Sequence, residues 1–173
     1  MKGYLLDTNV IRHWLDESNE FHAAVTQKAK QAAQVQSLMV TSSVVLGEIE
    51  YGIAANSGEA KQAMAKLRAH VIKQFAQKRL LLSVSRDTTA IYGELRAKLF
   101  NNFAPKDRRK KVKRPEELVD PVTAKELGIQ ENDLWIAAQA IERNLVLVTN
   151  DAMARIQEVA SELKVEDWAA SRS

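Results

Sequence analysis

The chain has 173 residues, 46% of them hydrophobic and 27% charged, which is enough to form one globular domain with a substantial core. It contains no cysteine, which excludes a disulfide framework, thiolate metal ligands and a cysteine nucleophile. No apolar run approaches the ~20 residues that span a bilayer. The short apolar stretch after Lys2 is interrupted by Asp7, which is not typical of a signal peptide. We therefore expect a cytoplasmic protein without membrane contact.

The formal net charge of +3 is concentrated in one segment. Residues 103–120 hold seven basic and four acidic side chains, which leaves 18 of each sign in the rest of the chain. We expect one domain over residues 1–173, with this basic stretch inserted at about 103–120.

Strand-like apolar runs alternate with helical patterns along the chain. The runs cover 3–7, 37–42, 79–84 and 145–150, with a weaker one at 163–166. Helical patterns cover 21–36, 43–55, 58–78, 86–101, 132–143 and 151–161. Continuous apolar runs are typical of strands buried on both faces of a parallel sheet. The alternation predicts an α/β, three-layer domain whose central parallel sheet of about four to five strands is flanked by helices. A helical turn closed by Gly128 is expected at 123–128.

Polar residues end two of the predicted strands. Asp7 follows the first strand, and Thr149, Asn150 and Asp151 follow the fourth. The carboxyl ends of parallel strands meet at one edge of a sheet, which is where ligand sites form in such folds. Asp7 and Asp151 are therefore expected to lie on the same edge.

Two further acidic residues lie in helical segments. Glu48 borders the apolar side of SVVLGEIEYGIAA, and Asp133 begins NDLWIAAQAIERN with Asn132 as the expected N-cap. Four converging carboxylates would repel one another unless a cation lay among them, and Mg²⁺ prefers such oxygen ligands. An ion held there can promote phosphodiester hydrolysis. No histidine is required, and His13, His22 and His70 are expected at the surface.

Each carboxylate also has an explanation without chemistry. Asp7 and Asp151 can cap the helices that follow them, and Asp133 suits the positive end of a helix dipole. Glu48 can be a solvated helical residue like Glu50. What favours a site is the occurrence of all four acids in this order.

Four blocks of sequence carry a family resemblance over nearly the whole chain. The first two are LLDTNVI (5–11) and TSSVVLGEIEYGI (41–53), and the third and fourth lie in NDLWIAAQAIERNLVLVTND (132–151). With these blocks the chain resembles the PIN-domain ribonucleases, and particularly the VapC-type toxins of bacterial toxin–antitoxin pairs.

The resemblance implies a metal-dependent endoribonuclease that hydrolyses RNA with Mg²⁺ or Mn²⁺, with a tRNA or rRNA target among the candidates. It implies a homodimer silenced by a cognate antitoxin protein. It assigns the catalytic and metal-binding roles to Asp7, Glu48, Asp133 and Asp151. Asp7, Asp133 and Asp151 would hold the ion, while Glu48 would help hold it or orient the attacking water. The side chains expected beside these ligands are Thr8, Thr149 and Asn150.

The basic segment departs from a compact member of this family. It can be a solvated loop, an arm that binds RNA phosphates beside a repulsive acidic site, or a contact for an acidic antitoxin. Base stacking is not expected to be its main mode, because Phe103 is its only aromatic residue. The candidate phosphate contacts are Lys106, Arg108, Arg109, Lys110, Lys111, Lys113 and Arg114.

Other functions fit these residues less well or stay open beside the first. A haloacid-dehalogenase-like phosphotransferase needs a second aspartate where the chain has Asn9, and a glycine-rich phosphate loop is missing. A catalytically silent PIN-like RNA- or protein-binding module stays open, as does a housekeeping RNA-processing nuclease. Trp14 and Trp135 lie beside acidic blocks, where packing in a core or dimer is the more common use and stacking on a base is the alternative.

Overall fold

A parallel five-stranded sheet between helices forms the body of the molecule. The computed structural model describes residues 2–104, 114–150 and 153–170. In these residues the strands are β1 (Gly3–Leu6), β2 (Leu38–Ser42), β3 (Leu81–Leu82), β4 (Val146–Val148) and β5 (Lys164–Glu166). The helices are α1 (Thr8–Leu15), α2 (His22–Gln34), α3 (Ser43–Ala55), α4 (Gly58–Val71), α5 (Arg86–Phe103), α6 (Glu131–Glu142) and α7 (Ala154–Val159). The predicted α/β architecture is confirmed.

The strand order is β3-β2-β1-β4-β5, and every pair is parallel. Leu5 at the centre of β1 faces Val40 on one side and Leu147 on the other. The chain builds the sheet outward from β1 in one direction and then returns to add β4 and β5 on the other side. The connection therefore reverses between β1 and β4, and open α/β sheets bind ligands in the crevice at this reversal.

The central strands are buried on both faces, as continuous apolar runs predict. Leu5, Leu6, Leu147 and Val148 have no exposed surface. Burying such a side chain contributes roughly 1.5–3 kcal/mol, so β1 and β4 anchor the sheet and fix the backbone that leads to its carboxyl edge.

A buried polar contact ties this core together. Gln139 of α6 is fully buried and accepts a hydrogen bond from the hydroxyl of Ser42, at the end of β2. Its amide nitrogen lies 3.5 Å from the carbonyl oxygen of Leu82 in β3. Because buried polar groups need partners, this contact sets how α6 lies across two neighbouring strands.

The predicted helix over 58–78 and the strand over 79–84 are both shorter in the structure. Helix α4 ends at Val71 and continues as a wide π-helical turn, Ile72–Ala76. Arg79 then adopts a φ of 58°, in the left-handed region. This backbone cannot join a parallel ladder, so β3 begins only at Leu81.

The helical turn predicted at 123–128 is wrong. The carboxylate of Asp120 accepts hydrogen bonds of 2.9 Å from the backbone N–H groups of Val122 and Thr123. Val119 then pairs with Glu126 in an isolated antiparallel bridge. An aspartate that binds the backbone two and three residues ahead favours a turn over a helix.

None of the described helices is long and apolar enough to cross a membrane.

We expect Gln139→Leu to lower the free energy of unfolding by about 1–3 kcal/mol, because it leaves the buried Ser42 hydroxyl without its acceptor. Chemical denaturation measures the change. The control is Gln27→Leu on the exposed face of α2, where a change within about 0.5 kcal/mol is expected. Equal stability of the two variants would show that the Ser42–Gln139 contact does not stabilise the core.

Candidate active site

Asp7 lies directly after β1 and directly before α1, with only 5% of its surface exposed. One carboxylate oxygen, Oδ1, accepts a 2.7 Å hydrogen bond from the backbone N–H of Thr8. The other, Oδ2, accepts a 2.9 Å hydrogen bond from the hydroxyl of Thr149. Asp7 therefore caps α1 and is also held at the crevice between β1 and β4, so the capping and site explanations are compatible.

The end of β4 supplies two of the residues predicted beside the acidic group. Thr149 is buried and binds Asp7, whereas Asn150 is exposed and its amide nitrogen lies 3.1 Å from Nε2 of His13. His13 lies on α1, so this contact joins the ends of α1 and β4.

The expectation that the three histidines lie at the surface is wrong, because His13, His22 and His70 are half-buried. Burial lowers the pKa of His70, and nearby Lys73 and Lys78 lower it further.

Glu48 projects from α3 and is half-buried between two donors. The hydroxyl of Thr8 donates to its Oε2, and the amide of Asn132 donates to its Oε1 at 3.0 Å. Thr8 thus binds Asp7 through its backbone and Glu48 through its side chain. These contacts connect α3 to both α1 and α6.

Asp133 lies in the first turn of α6, as predicted, but the predicted N-cap is wrong. The helix begins at Glu131, and Gln130 occupies the N-cap position. The backbone N–H of Gln130 donates to Oδ2 of Asp133 at 2.8 Å, as in a capping box. Asn132 is one residue too far along to cap the helix, and its side chain binds Glu48 instead.

These three carboxylates line one cleft of about 850 Å³. Thr8, Asn9, Arg12, Gln130, Asn132 and Trp135 are among the other residues that line it. Among the described residues, no three acidic or histidine side chains lie close enough together to form a metal-binding group. The structure thus brings Asp7, Glu48 and Asp133 to one cleft, and their chemical roles stay predictions.

Most of the other predicted residues fall outside the described part of the chain. Asp151 does, and so do Lys106, Arg108, Arg109, Lys110, Lys111 and Lys113. Arg114 is described and is exposed.

Sequence reasoning missed some cleft residues and misassigned another. Arg12 supplies a positive charge to the cleft, and its position four residues after Thr8 on α1 could have indicated a shared face. Asn132 was expected to cap α6 but binds Glu48 instead. Asn132 and Asp133 are adjacent in the first turn of α6, and they bind different partners. Tyr51, which is 75% exposed, also lines the cleft, and its position three residues after Glu48 on α3 could have indicated a shared face.

Trp135 lines the cleft, and a second aromatic ring stacks on its indole. Its indole is parallel to the ring of Tyr92, with 3.7 Å between centroids and 2° between planes. The Tyr92 hydroxyl donates to Glu131 and accepts a 2.6 Å hydrogen bond from Arg96. Burial raises the pKa of Tyr92 and the hydrogen bond to Glu131 raises it further, whereas Arg96 opposes the rise.

Comparison with known proteins agrees with this fold. The PIN domain family model matches residues 4–161, so the chain belongs to the PIN domain family. Among individual proteins, it is 28% identical over 149 residues to Ribonuclease VapC2 of Rickettsia felis, an alignment that covers 86% of each chain.

Solved structures show the same fold. One is VapBC2 from Rickettsia felis bound to a DNA fragment from their promoter, with a TM-score of 0.63, 22% identity, and coverage of 95% of this chain and 98% of that one. Another is VapBC-5 from Mycobacterium tuberculosis, a member of the VapBC family of toxin–antitoxin systems. It has a TM-score of 0.60, 18% identity, and coverage of 96% of this chain and 99% of that one.

We expect Thr149→Val to lower the free energy of unfolding by about 1.5–3 kcal/mol, because it removes a hydrogen bond to the buried carboxylate of Asp7 without changing the side-chain shape. Urea denaturation measures this decrease. The exposed Thr89 of α5 is the matched control, and Thr89→Val should change stability by about 0.5 kcal/mol or less. If Thr149→Val were as stable as the control, the Thr149 hydroxyl would not be what holds Asp7.

Proposed function

We propose that this chain is a metal-dependent endoribonuclease that hydrolyses RNA phosphodiester bonds and acts as the toxin of a toxin–antitoxin pair. The observation that carries the proposal is the convergence of Asp7, Glu48 and Asp133, from three separate elements, on one cleft at the carboxyl edge of a PIN-domain sheet. The name of its relative, Ribonuclease VapC2, supports the reaction class.

The donor set fits Mg²⁺ or Mn²⁺. The cleft offers carboxylate, hydroxyl and amide oxygens, which are the ligands that hard divalent cations prefer. Mg²⁺ usually keeps several waters and binds through one or two carboxylates, so it does not require a tight cluster of three acids. Asp7 and Asp133 would hold the ion together with Asp151. When bound, the ion supplies Lewis acidity and offsets the charge of the phosphate.

The chain's own residues orient the reacting groups. The two donors to Asp7 and the two donors to Glu48 fix the planes of both carboxylates. In this proposal Glu48 accepts a hydrogen bond from the attacking water, or helps to hold the ion. Such fixed positioning contributes to the rate because no reorganisation is needed during the reaction.

Positive charge is needed to bring an RNA phosphate to this acidic cleft. Arg12 supplies one such charge at the cleft itself. The basic segment would supply the rest as a phosphate-binding arm, since clustered lysine and arginine attract nucleic acid over several ångströms.

The structural relatives support one part of the assembly that we propose, the antitoxin partner. Several of these relatives are toxin–antitoxin complexes, which supports a cognate antitoxin as the partner of this chain. We propose that the chain forms a homodimer, acts in the cytoplasm and is inhibited when the antitoxin covers the acidic cleft. The RNA target would be a tRNA or an rRNA.

Purified protein should cut total tRNA or rRNA into discrete fragments with Mg²⁺ or Mn²⁺, and EDTA should abolish the fragments. Asp7→Asn and Asp133→Asn should each lower the cleavage rate by about 100-fold or more, because each removes a carboxylate that would hold the ion. Gel analysis of end-labelled RNA measures the rates.

Asp87→Asn is the control for these variants, since Asp87 lies exposed in the first turn of α5 and does not line the cleft. It should cleave at the native rate. Fragments that survive in both active-site variants would come from a contaminating nuclease. RNA binding without cleavage would favour a silent binding module.

Replacing Arg108, Arg109, Lys110 and Lys111 by glutamine should weaken RNA binding and flatten its salt dependence. For single strands the slope of log K against log salt changes by about 0.7 for each phosphate that is no longer neutralised, so a change of up to about 3 is expected. Fluorescence anisotropy across a salt series measures the slope.

The matched control replaces four basic residues outside the cleft lining, namely Lys28, Lys30, Lys73 and Lys78. Its slope should change much less. If the arm variant kept the native slope but bound the antitoxin more weakly, the basic segment would be a protein-binding surface instead.

A further inference from the structure

The lining of the acidic cleft also includes apolar and aromatic side chains. Trp135 lines the cleft and is half-buried on α6, two residues after Asp133. Val44 of α3 and Val84, between β3 and α5, line the same cleft. Neither the indole nor the two valines contributes an oxygen ligand, so they serve no purpose in holding a cation.

The ring of Tyr92 supports one face of the Trp135 indole. Tyr92 stacks on one face of the indole at 3.7 Å and does not itself line the cleft, so one indole face is covered and Trp135 is the ring of this pair that the cleft contacts. The Tyr92 ring is in turn fixed by Glu131 and Arg96. A ring already held in place loses little conformational entropy when it binds a partner.

We propose that Trp135 is a stacking platform for an unpaired nucleobase of the RNA strand whose phosphate lies at Asp7, Glu48 and Asp133. The inference rests on the proposed function and adds a base-binding subsite to it. Every nucleobase has a flat π-face that stacks on an aromatic ring, so the subsite selects unpaired nucleotides more strongly than it selects sequence.

The surroundings favour a base over a phosphate at this position. Trp135, Val44 and Val84 offer no positive charge to a phosphate oxygen, whereas their apolar surfaces favour a desolvated ring. A base within a duplex is stacked on its neighbours and cannot offer its face to Trp135, so the platform requires a single-stranded or extruded nucleotide.

The test separates the base from the phosphate. The probes are a fluorescein-labelled single-stranded RNA 12-mer and a second 12-mer whose central six nucleotides are abasic, which keeps every phosphate. Binding is measured by anisotropy with Mn²⁺ in full-length protein that carries Asp7→Asn to prevent cleavage. The four corners of a double-mutant cycle are the protein with Trp135 or with Trp135→Leu, each bound to the intact or to the abasic 12-mer.

Trp135→Leu should weaken binding of the intact 12-mer by about 5- to 150-fold, the range measured for one base–aromatic stack. It should change binding of the abasic 12-mer by about 2-fold or less, because that probe has no base to stack there. The salt slope should stay the same, since no phosphate contact changes. Trp135→Phe keeps an aromatic face and should retain most of the affinity.

Trp14→Leu is the matched control, because Trp14 is also half-buried on a helix but does not line the cleft. It should alter neither probe's binding nor the difference between them. Circular dichroism confirms that each variant is folded, and sedimentation reports its oligomeric state.

Equally weakened binding of both probes, or unchanged binding of both, would overturn the stacking inference. Equal weakening together with a changed oligomeric state would show that Trp135 packs against a second copy of the chain. If the native chain cleaves RNA but the cycle shows no coupling, only the stacking inference is wrong. If the native chain neither binds the 12-mer nor cleaves RNA, the proposed function is wrong and the inference fails with it.

Discussion

The carboxylate of Asp7 is the constraint on which the rest of the site depends. It is almost fully buried, and burial of a carboxylate is costly unless donors surround it. The backbone of α1 supplies one donor and the hydroxyl at the end of β4 supplies another. Satisfying this one group therefore fixes where α1 begins and how β1 and β4 end relative to each other.

Glu48 and Asp133 also need hydrogen-bond donors. Three carboxylates on one cleft repel each other, and each accepts hydrogen bonds. The donors to Asp7 and Glu48 include residues of other elements, and the donor to Asp133 is the N-cap of its own helix. Thr8 serves two of them, one through its backbone and one through its hydroxyl, so α1 and α3 cannot shift independently. This network makes the acidic cleft compatible with a stable fold before any cation binds, because each charge has a local partner.

The parts of the fold predicted from sequence are those set by strong local patterns. The buried strands β1 and β4 and the helix α3 have continuous apolar runs or clear periodicity, and they were predicted within one or two residues. Convergence of Asp7 with Thr149 followed from parallel topology alone. The prediction was wrong where one residue's backbone decides the outcome, as at Arg79, whose left-handed conformation shortens β3.

The sequence also did not show which side chains bind each other. Asn132 is a good N-cap residue by type, and nothing local shows that Gln130 takes that position while Asn132 binds a glutamate 84 residues earlier. Contacts distant in sequence determine which of several suitable local structures forms.

The start of α6 concentrates different chemistry in one helical turn. Asp133 and Trp135 line the acidic cleft, and Asn132 donates a hydrogen bond to Glu48. Because these residues share one rigid helix, the distance between charge and aromatic surface is fixed by the helix itself. The buried contact of Gln139 with Ser42, further along the same helix, sets where that helix lies on the sheet. A strand of RNA bound here would thus meet a fixed spacing between its phosphate and its base. Substrate choice in this cleft would then depend on whether an RNA can expose an unpaired nucleotide at that spacing.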